Sequence, residues 1–297
     1  GTLRRSSTDN TWRIKKILDK IEIINADLTD SSSLNKTINL IKPDECYNLA
    51  AQSFVRASWD TPEFTFDVNA TGVIRLLEAI RAFGKKDTRI YQASSSEQFG
   101  KVQETPQSET TKFYPRSVYG CSKAAAHFIC VNYRESYNMF ICCGISFNHE
   151  SFRRGLEFVS RKISYGVAKI YLKMADCIEL GNLDAKRDFG YAPDFVEGFW
   201  KMLQLDKPDD FVLATGETHS IREFVQTAFE CVEIYNWQDY IKQNPKFIRP
   251  AEVDYLLGDA RKAEKILGWR SKTSFKELVH IMVSADLERL KRGDQIE

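Results

Sequence analysis

Apolar positions in the first half of the chain alternate between two textures, short continuous runs and longer stretches repeating at helical spacing. Ile21-Glu22-Ile23-Ile24-Asn25-Ala26 predicts a strand that ends in Asp27-Leu28-Thr29-Asp30. Asp30 or Ser31 can cap a helix that runs to Ile41 and stops before Pro43. Cys46 to Ala51 predicts the next strand. Between Pro62 and Phe83 the apolar residues Val73, Leu76, Leu77, Ile80 and Phe83 follow a helical repeat, closed by Gly84. Arg89 to Ser94 predicts a strand, Ser117 to Tyr137 a helix, and Phe140 to Phe147 a further strand.

Such strand–helix–strand units predict an α/β fold, a doubly wound parallel sheet of Rossmann type. Ligands of these sheets bind at the carboxyl ends of the strands. The polar clusters sit at those ends: Asp27, Gln52-Ser53, Ser94-Ser95-Ser96-Glu97 and Asn148-His149-Glu150. After about residue 150 the pattern is less regular, with short strands at Cys177 to Leu180 and Phe211 to Ala214. Helices are predicted from Ser220 to about Val232, from an Asp259 cap to Leu267, and from a Ser274 cap to about Leu290. This predicts a dinucleotide-type domain over 1–150. Over 151–297 it predicts a smaller mixed α/β domain, with some chain crossing back to the sheet.

Composition narrows the classes. At about 150 residues per domain, 297 residues suit one large domain or two smaller ones. With 42 Lys+Arg against 41 Asp+Glu, the formal net charge of +1 argues against a general nucleic-acid or acidic-membrane binder. No run of about 18 apolar residues is present to span a membrane. The 7 cysteines include no Cys-x-x-Cys pair and sit mostly among apolar neighbours, as in Phe140 to Ile145. That is the pattern of buried thiols in a reducing compartment, not of a disulfide or zinc framework, so no metal and a cytoplasmic location are expected.

Tyr119-Gly120-Cys121-Ser122-Lys123 places a phenol and an ammonium four residues apart on one helix face. A phenol is a poor base at neutral pH unless a nearby cation favours its ionised form. With the preceding strand ending in Ser94-Ser95-Ser96-Glu97, the order resembles the extended, nucleotide-sugar branch of the short-chain dehydrogenase/reductase superfamily. Within it, the chain is most similar to the GDP-mannose 4,6-dehydratase family. The resemblance runs from Arg4 to about Leu290. It is carried by Arg4 to Ser7, Asn48 to Ser53, Gln92 to Glu97, Phe113 to Gly120 and Phe147 to Ser151. Arg161 to Ile163, Gly181 to Asp188, Ala214 to Gly216 and Arg249 to Asp254 extend it.

The resemblance implies a catalytic set of Ser95, Glu97, Tyr119 and Lys123. In that reading Tyr119 takes the 4-hydroxyl proton as hydride passes to NADP, Ser95 binds the 4-oxygen, and Glu97 removes the C5 proton. For the cofactor it implies Arg4, Arg5, Ser6 and Ser7 at the adenosine 2′-phosphate, where guanidinium forks favour NADP over NAD. Asp27 and Leu28 would meet the adenine. Leu49, Ala50, Ala51, Gln52, Ser53 and Phe64 would line the trough, with Lys123, His149 and Arg154 on the nicotinamide side. Asn148, Lys162, Arg187, Arg249 and Glu252 match the segments that bind the GDP-sugar. Arg116, Arg153, Arg161 and Lys186 stand nearby as alternatives for the diphosphate. A homodimer or homotetramer is implied, with the helices near 62–83 and 117–137 as its faces.

The chain departs from the family at Val118 and Phe152, where proline is usual, and at Phe64, where tyrosine is frequent. It also holds no Gly-x-x-Gly-x-x-Gly turn, whose amides cradle a pyrophosphate. The expectation is therefore that roughly 25–30 residues, the first βα unit and a strand, are missing before Gly1, and that this chain alone binds NADP weakly. Rival readings are a GDP-heptose dehydratase using the same residues and a non-catalytic nucleotide-binding homologue. An epimerase or a plain 4-reductase needs no base for C5 at Glu97.

Overall fold

The computed structural model describes residues 1–7, 11–247, 251, 253 and 255–294. The chain divides into two units: the first holds 1–94, 117–144 and 202–210, the second 95–116, 145–201 and 211–297.

The first unit opens with β1 (Thr2–Leu3), which pairs in parallel with β2 (Ile24–Asn25) as a two-stranded sheet. Helix α1 (Ser31–Ile41) begins where Asp30 caps Ser32 N and ends at Lys42, whose φ of 45° closes the last turn onto Ile38 O. Strand β3 (Glu45–Asn48) follows, then α2 (Ala57–Asp60), α3 (Pro62–Phe66) and α4 (Gly72–Phe83). The single helix expected over 62–83 is interrupted by a π turn at Asp67–Thr71. Strand β4 (Arg89–Ser95), α5 (Val118–Tyr137) and β5 (Phe140–Ser146) complete this part of the chain.

β3 and β4 are parallel, with Glu45 opposite Arg89 and Asn48 opposite Gln92. The strand order β5-β4-β3 and the flanking helices are the predicted parallel α/β arrangement. Leu28, Leu34 and Ile38 pack with Leu76, Leu77 and Ile80 of α4, and Ile90 and Ile141 join the same core. Gly144 lies so close under the Tyr91 ring that an added Cβ would fall 2.6 Å from Cε2. The strand predicted over Cys46 to Ala51 stops at Asn48, because Gln52 N turns away to donate to Asn69 Oδ1 at 2.8 Å.

The second unit contains β6 (Asn148–Glu150), α6 (Val159–Tyr171), β7 (Ile178–Leu180), β8 (Lys186–Arg187), β9 (Phe189–Tyr191) and α7 (Ala192–Leu203), whose last two residues belong to the first unit. It continues with β10 (Phe211–Leu213), β11 (His219–Ser220), α8 (Ile221–Glu230), β12 (Ile241–Gln243), α9 (Arg261–Leu267) and α10 (Phe275–Arg292). β6 runs parallel to β9, β7 parallel to β12, and β8 antiparallel to β11. Helices α6, α8 and α10 share a core of Ile163, Val167, Phe224, Phe229, Leu278 and Met282. Helix α8 starts with a full capping box between Ser220 and Glu223. The expected Asp259 cap is displaced by one residue: Ala260 is the N-cap, while Asp259 accepts from Arg261 N. No helix of the described residues is long and apolar enough to cross a membrane.

Candidate active site

In the first unit, the Ser117 side chain accepts from Gly120 N at 2.9 Å and fixes the start of α5. Tyr119 and Lys123 are consequently one turn apart on the helix, and the Lys123 ammonium lies 5.8 Å from the Tyr119 ring centre. Lys123 is 4% exposed and donates to Ala93 O at 2.9 Å, close to the end of β4. Burial pushes the Lys123 ammonium down to about 8. The expected phenol–ammonium pair is therefore brought together, with the cation tied to the carboxyl end of a central strand.

The loop after β3 is held by a residue to which the sequence reading gave no role. Asn69, 2% exposed within the π turn, accepts from Gln52 N and donates to Gln52 O at 3.0 Å and to Ser122 Oγ at 3.1 Å. The Gln52 side chain donates to Thr65 Oγ1 and accepts from Phe54 N. Asn69 thus ties the Leu49–Ser53 loop to α5. An asparagine four residues before Val73, in line with the apolar stripe of Val73, Leu76, Leu77 and Ile80, was the available signal, and π turns recur at functional positions.

Arg4, Arg5, Ser6 and Ser7 are exposed just beyond β1. Asp27, beyond β2, accepts from Thr29 N at 2.9 Å, and the Leu28 side chain is 7% exposed within the core. Leu49 and Phe64 are 56% and 45% exposed. Arg4 to Ser7, Asp27 and Leu49 follow the carboxyl ends of β1, β2 and β3, the usual place for a ligand of this fold, and Phe64 lies on α3. Exposed guanidinium and hydroxyl groups suit a phosphate, so the donor set fits the adenosine-phosphate end of a dinucleotide.

In the second unit Ser95 is 9% exposed, and its hydroxyl caps the following turn by accepting from Glu97 N at 3.3 Å. Glu97 is half-buried on that turn. Asn148 and His149 stand on β6, opposite Phe189 and Gly190. The His149 ring stacks on Phe195 with centroids 5.1 Å apart, meets Phe199 edge-on, and lies 2.8 Å from Phe147 O through Nδ1. Arg154 pairs with Glu150 at 3.3 Å and covers the Phe158 ring, while the Lys162 ammonium sits 3.5 Å over Phe247.

Arg187, on β8, is 6% exposed. The next residue, Asp188, is fully buried and takes Thr215 N and Oγ1 on one oxygen and Gly216 N on the other, at 2.8 to 3.1 Å. Burial raises its carboxyl to about 6. Asp188 belongs to a segment that carried the resemblance but was given no role. Arg161, weighed as a diphosphate contact, is corrected: it is wholly buried against Asp286, and its Nη1 donates to Phe152 O and Arg154 O. Arg249 and Glu252 lie outside the described residues.

A family model described as GDP-mannose 4,6 dehydratase matches residues 1–282. The GDP-mannose 4,6 dehydratase of Drosophila melanogaster is 50% identical, with 99% of this chain and 80% of the relative covered. The Homo sapiens protein of the same name is 48% identical, over 98% and 85%. Among solved structures, DesIV, a dTDP-glucose 4,6-dehydratase from Streptomyces venezuelae with NAD and TYD bound, superposes with a TM-score of 0.85 at 18% identity, covering 98% of this chain and 87% of that one. RMD from Pseudomonas aeruginosa complexed with NADPH gives 0.81 at 22% identity, covering 93% and 95%. The structural likenesses establish the fold, and the sequence likenesses go further: this chain belongs to the GDP-mannose 4,6-dehydratase family.

Proposed function

We propose that this chain converts GDP-mannose to GDP-4-keto-6-deoxymannose, a loss of water with no net redox change. The observation that carries this reading is identity near one half to dehydratases of that name across almost the whole chain. NADP, when bound, would supply the hydride acceptor for C4 and the hydride donor for C6.

The remaining chemistry falls to the chain's own side chains. A cation beside a phenol favours the phenolate, and Lys123 provides it for Tyr119. Tyr119 takes the 4-hydroxyl proton, and the Ser95 hydroxyl hydrogen-bonds the 4-oxygen. The resulting ketone acidifies the C5 proton, which the Glu97 carboxylate removes. That proton leaves with the C6 hydroxyl as water, and C5 takes up a proton again as hydride is added at C6, which balances the proton that Tyr119 removed from the 4-hydroxyl.

Arg4, Arg5, Ser6 and Ser7 would hold the adenosine 2′-phosphate, Asp27 and the Leu28 backbone the adenine, and the Leu49–Ser53 loop and Phe64 the rest of the trough. Arg154 and His149 would face the nicotinamide side. Asn148, Lys162 and Arg187 would bind the GDP-sugar. We assign a homodimer or homotetramer joined through α4 and α5, supported by the exposed Ile74, Phe83, Phe128 and Tyr137 on those helices.

The test is incubation with GDP-mannose and NADP in deuterated water. A 4-keto-6-deoxy product carrying deuterium at C5 is expected. Absence of product, or turnover of a GDP-heptose alone, overturns the reading.

A further inference from the structure

We propose that His127, Cys143 and Asp210 form a binding site for a thiophilic divalent cation of the zinc class, with Cys130 beside it as a further thiol. All four residues lie in the first unit. His127 and Cys130 stand three residues apart on one face of α5, Cys143 projects from β5, and Asp210 closes the group. One ligand atom from each of His127, Cys143 and Asp210 lies within 4.8 Å of the other two, and His127 Nε2 is 3.7 Å from Asp210 Oδ2. Tetrahedral zinc, with Zn–S of about 2.3 Å and Zn–N of about 2.0 Å, needs donor atoms roughly 3.3–3.8 Å apart. The donors must close by only about 1 Å to meet that geometry.

The orientation of two ligands supports the assignment independently. His127 Nδ1 lies 3.3 Å from Ser94 Oγ, which turns Nε2 toward Asp210. Metal-binding imidazoles are fixed in this way by a partner on the opposite nitrogen. Asp210 Oδ1 accepts from Cys143 N at 3.1 Å and from Arg134 Nη1 at 2.9 Å. Coordination through Oδ2 exchanges the bond from Arg134 Nη2 and keeps both bonds to Oδ1.

Cys143 and Cys130 are both fully buried and in hydrogen-bond contact. Binding breaks the Cys143 S–H bond, forms an S–metal bond and releases the proton to solvent, so no oxidant is involved. One thiolate and one carboxylate then offset the dication, while the Arg134 guanidinium paired with Asp210 keeps its own positive charge. A sulfur, nitrogen and oxygen set selects zinc or cadmium over magnesium or calcium, which prefer oxygen alone. The contact with Cys130 and burial hold the Cys143 thiol well above its ordinary range, and binding releases its proton.

The test is titration of the metal-free chain with cadmium, followed by the ultraviolet thiolate-to-cadmium charge-transfer band and by proton release. One equivalent per chain is expected, with the band lost in Cys143→Ser and unchanged in Cys121→Ser, whose thiol is exposed. Ser94→Ala should weaken binding about tenfold. No band at one equivalent, or a band surviving in folded Cys143→Ser, overturns the proposal. Should Cys143→Ser not fold, cadmium-113 NMR of the unaltered chain decides: a shift typical of mixed sulfur, nitrogen and oxygen ligation supports the site, and an oxygen-only shift overturns it.

Discussion

Arg161 and Asp286 meet in the interior of the second unit, 125 residues apart in the chain, with neither side chain exposed and Nη2 2.6 Å from Oδ1. Arg161 Nε contacts both carboxylate oxygens at 2.9 Å, and Ser164 Oγ donates to Oδ2. The pair joins α6 to α10. Removing one partner leaves a buried charge without its counter-ion. Asp286→Ala is therefore expected to lose about 3–5 kcal/mol of unfolding free energy in a denaturant titration. The double change Arg161→Met with Asp286→Leu should recover most of that loss. Equal losses in the single and double variants would show that the ion pair is not the cause.

Lys123 yields a prediction about pH. Its ammonium titrates near 8 in the folded chain against an ordinary value of 10.5, because burial disfavours the charge. Below pH 8 folding carries the full cost of that charge. Between 8 and 10.5 the cost fades, and above 10.5 it is gone. Relative to Lys123→Met, the native chain should gain about 3 kcal/mol across that window. The difference between two denaturant titrations, at pH 8 and near 10.5, measures it. A difference independent of pH would remove burial as the reason.

Glu97→Gln tests the division of labour at the sugar. It removes the base but keeps the shape, so C5 proton exchange and product formation should fall by at least about 100-fold. GDP-mannose binding by calorimetry should change little. Undiminished deuterium incorporation at C5 would exclude Glu97 as the base.

Asp188 accepts on both oxygens, so Asp188→Asn must turn an NH2 group toward either Thr215 N or Gly216 N. A buried donor facing a donor costs about 1–3 kcal/mol. The variant should melt earlier, and its KM for the GDP-sugar should rise more than its kcat falls, since Asp188 adjoins Arg187. An unchanged melting temperature would show that the Thr215–Gly216 turn holds itself.

Much of the molecule was legible in the chain. The periodicities located α1, β4 and α5 almost to the residue, because each is long, amphipathic or apolar and carries a local stop signal. Tyr119 and Lys123 were readable as a pair because helical spacing alone places them on one face. Elements whose limits depend on distant partners were read less well. The strand after Asp44 was expected to continue through Ala51, yet Asn69 captures Gln52 and ends it. Arg161 looked like a phosphate ligand because a sequence shows a charge without showing its partner.

The sequence by itself determined the parallel α/β fold, the family and the identity of the chemical groups, since all of these rest on local pattern and motif order. Only the tertiary structure decided which charges are buried against one another and which stay exposed. It buried Arg161 on Asp286, anchored Lys123 on Ala93 O and gathered His127, Cys143 and Asp210 from three separate segments. The physical reason is that burial, and the pairing it enforces on charged and polar groups, arises between residues far apart in the chain.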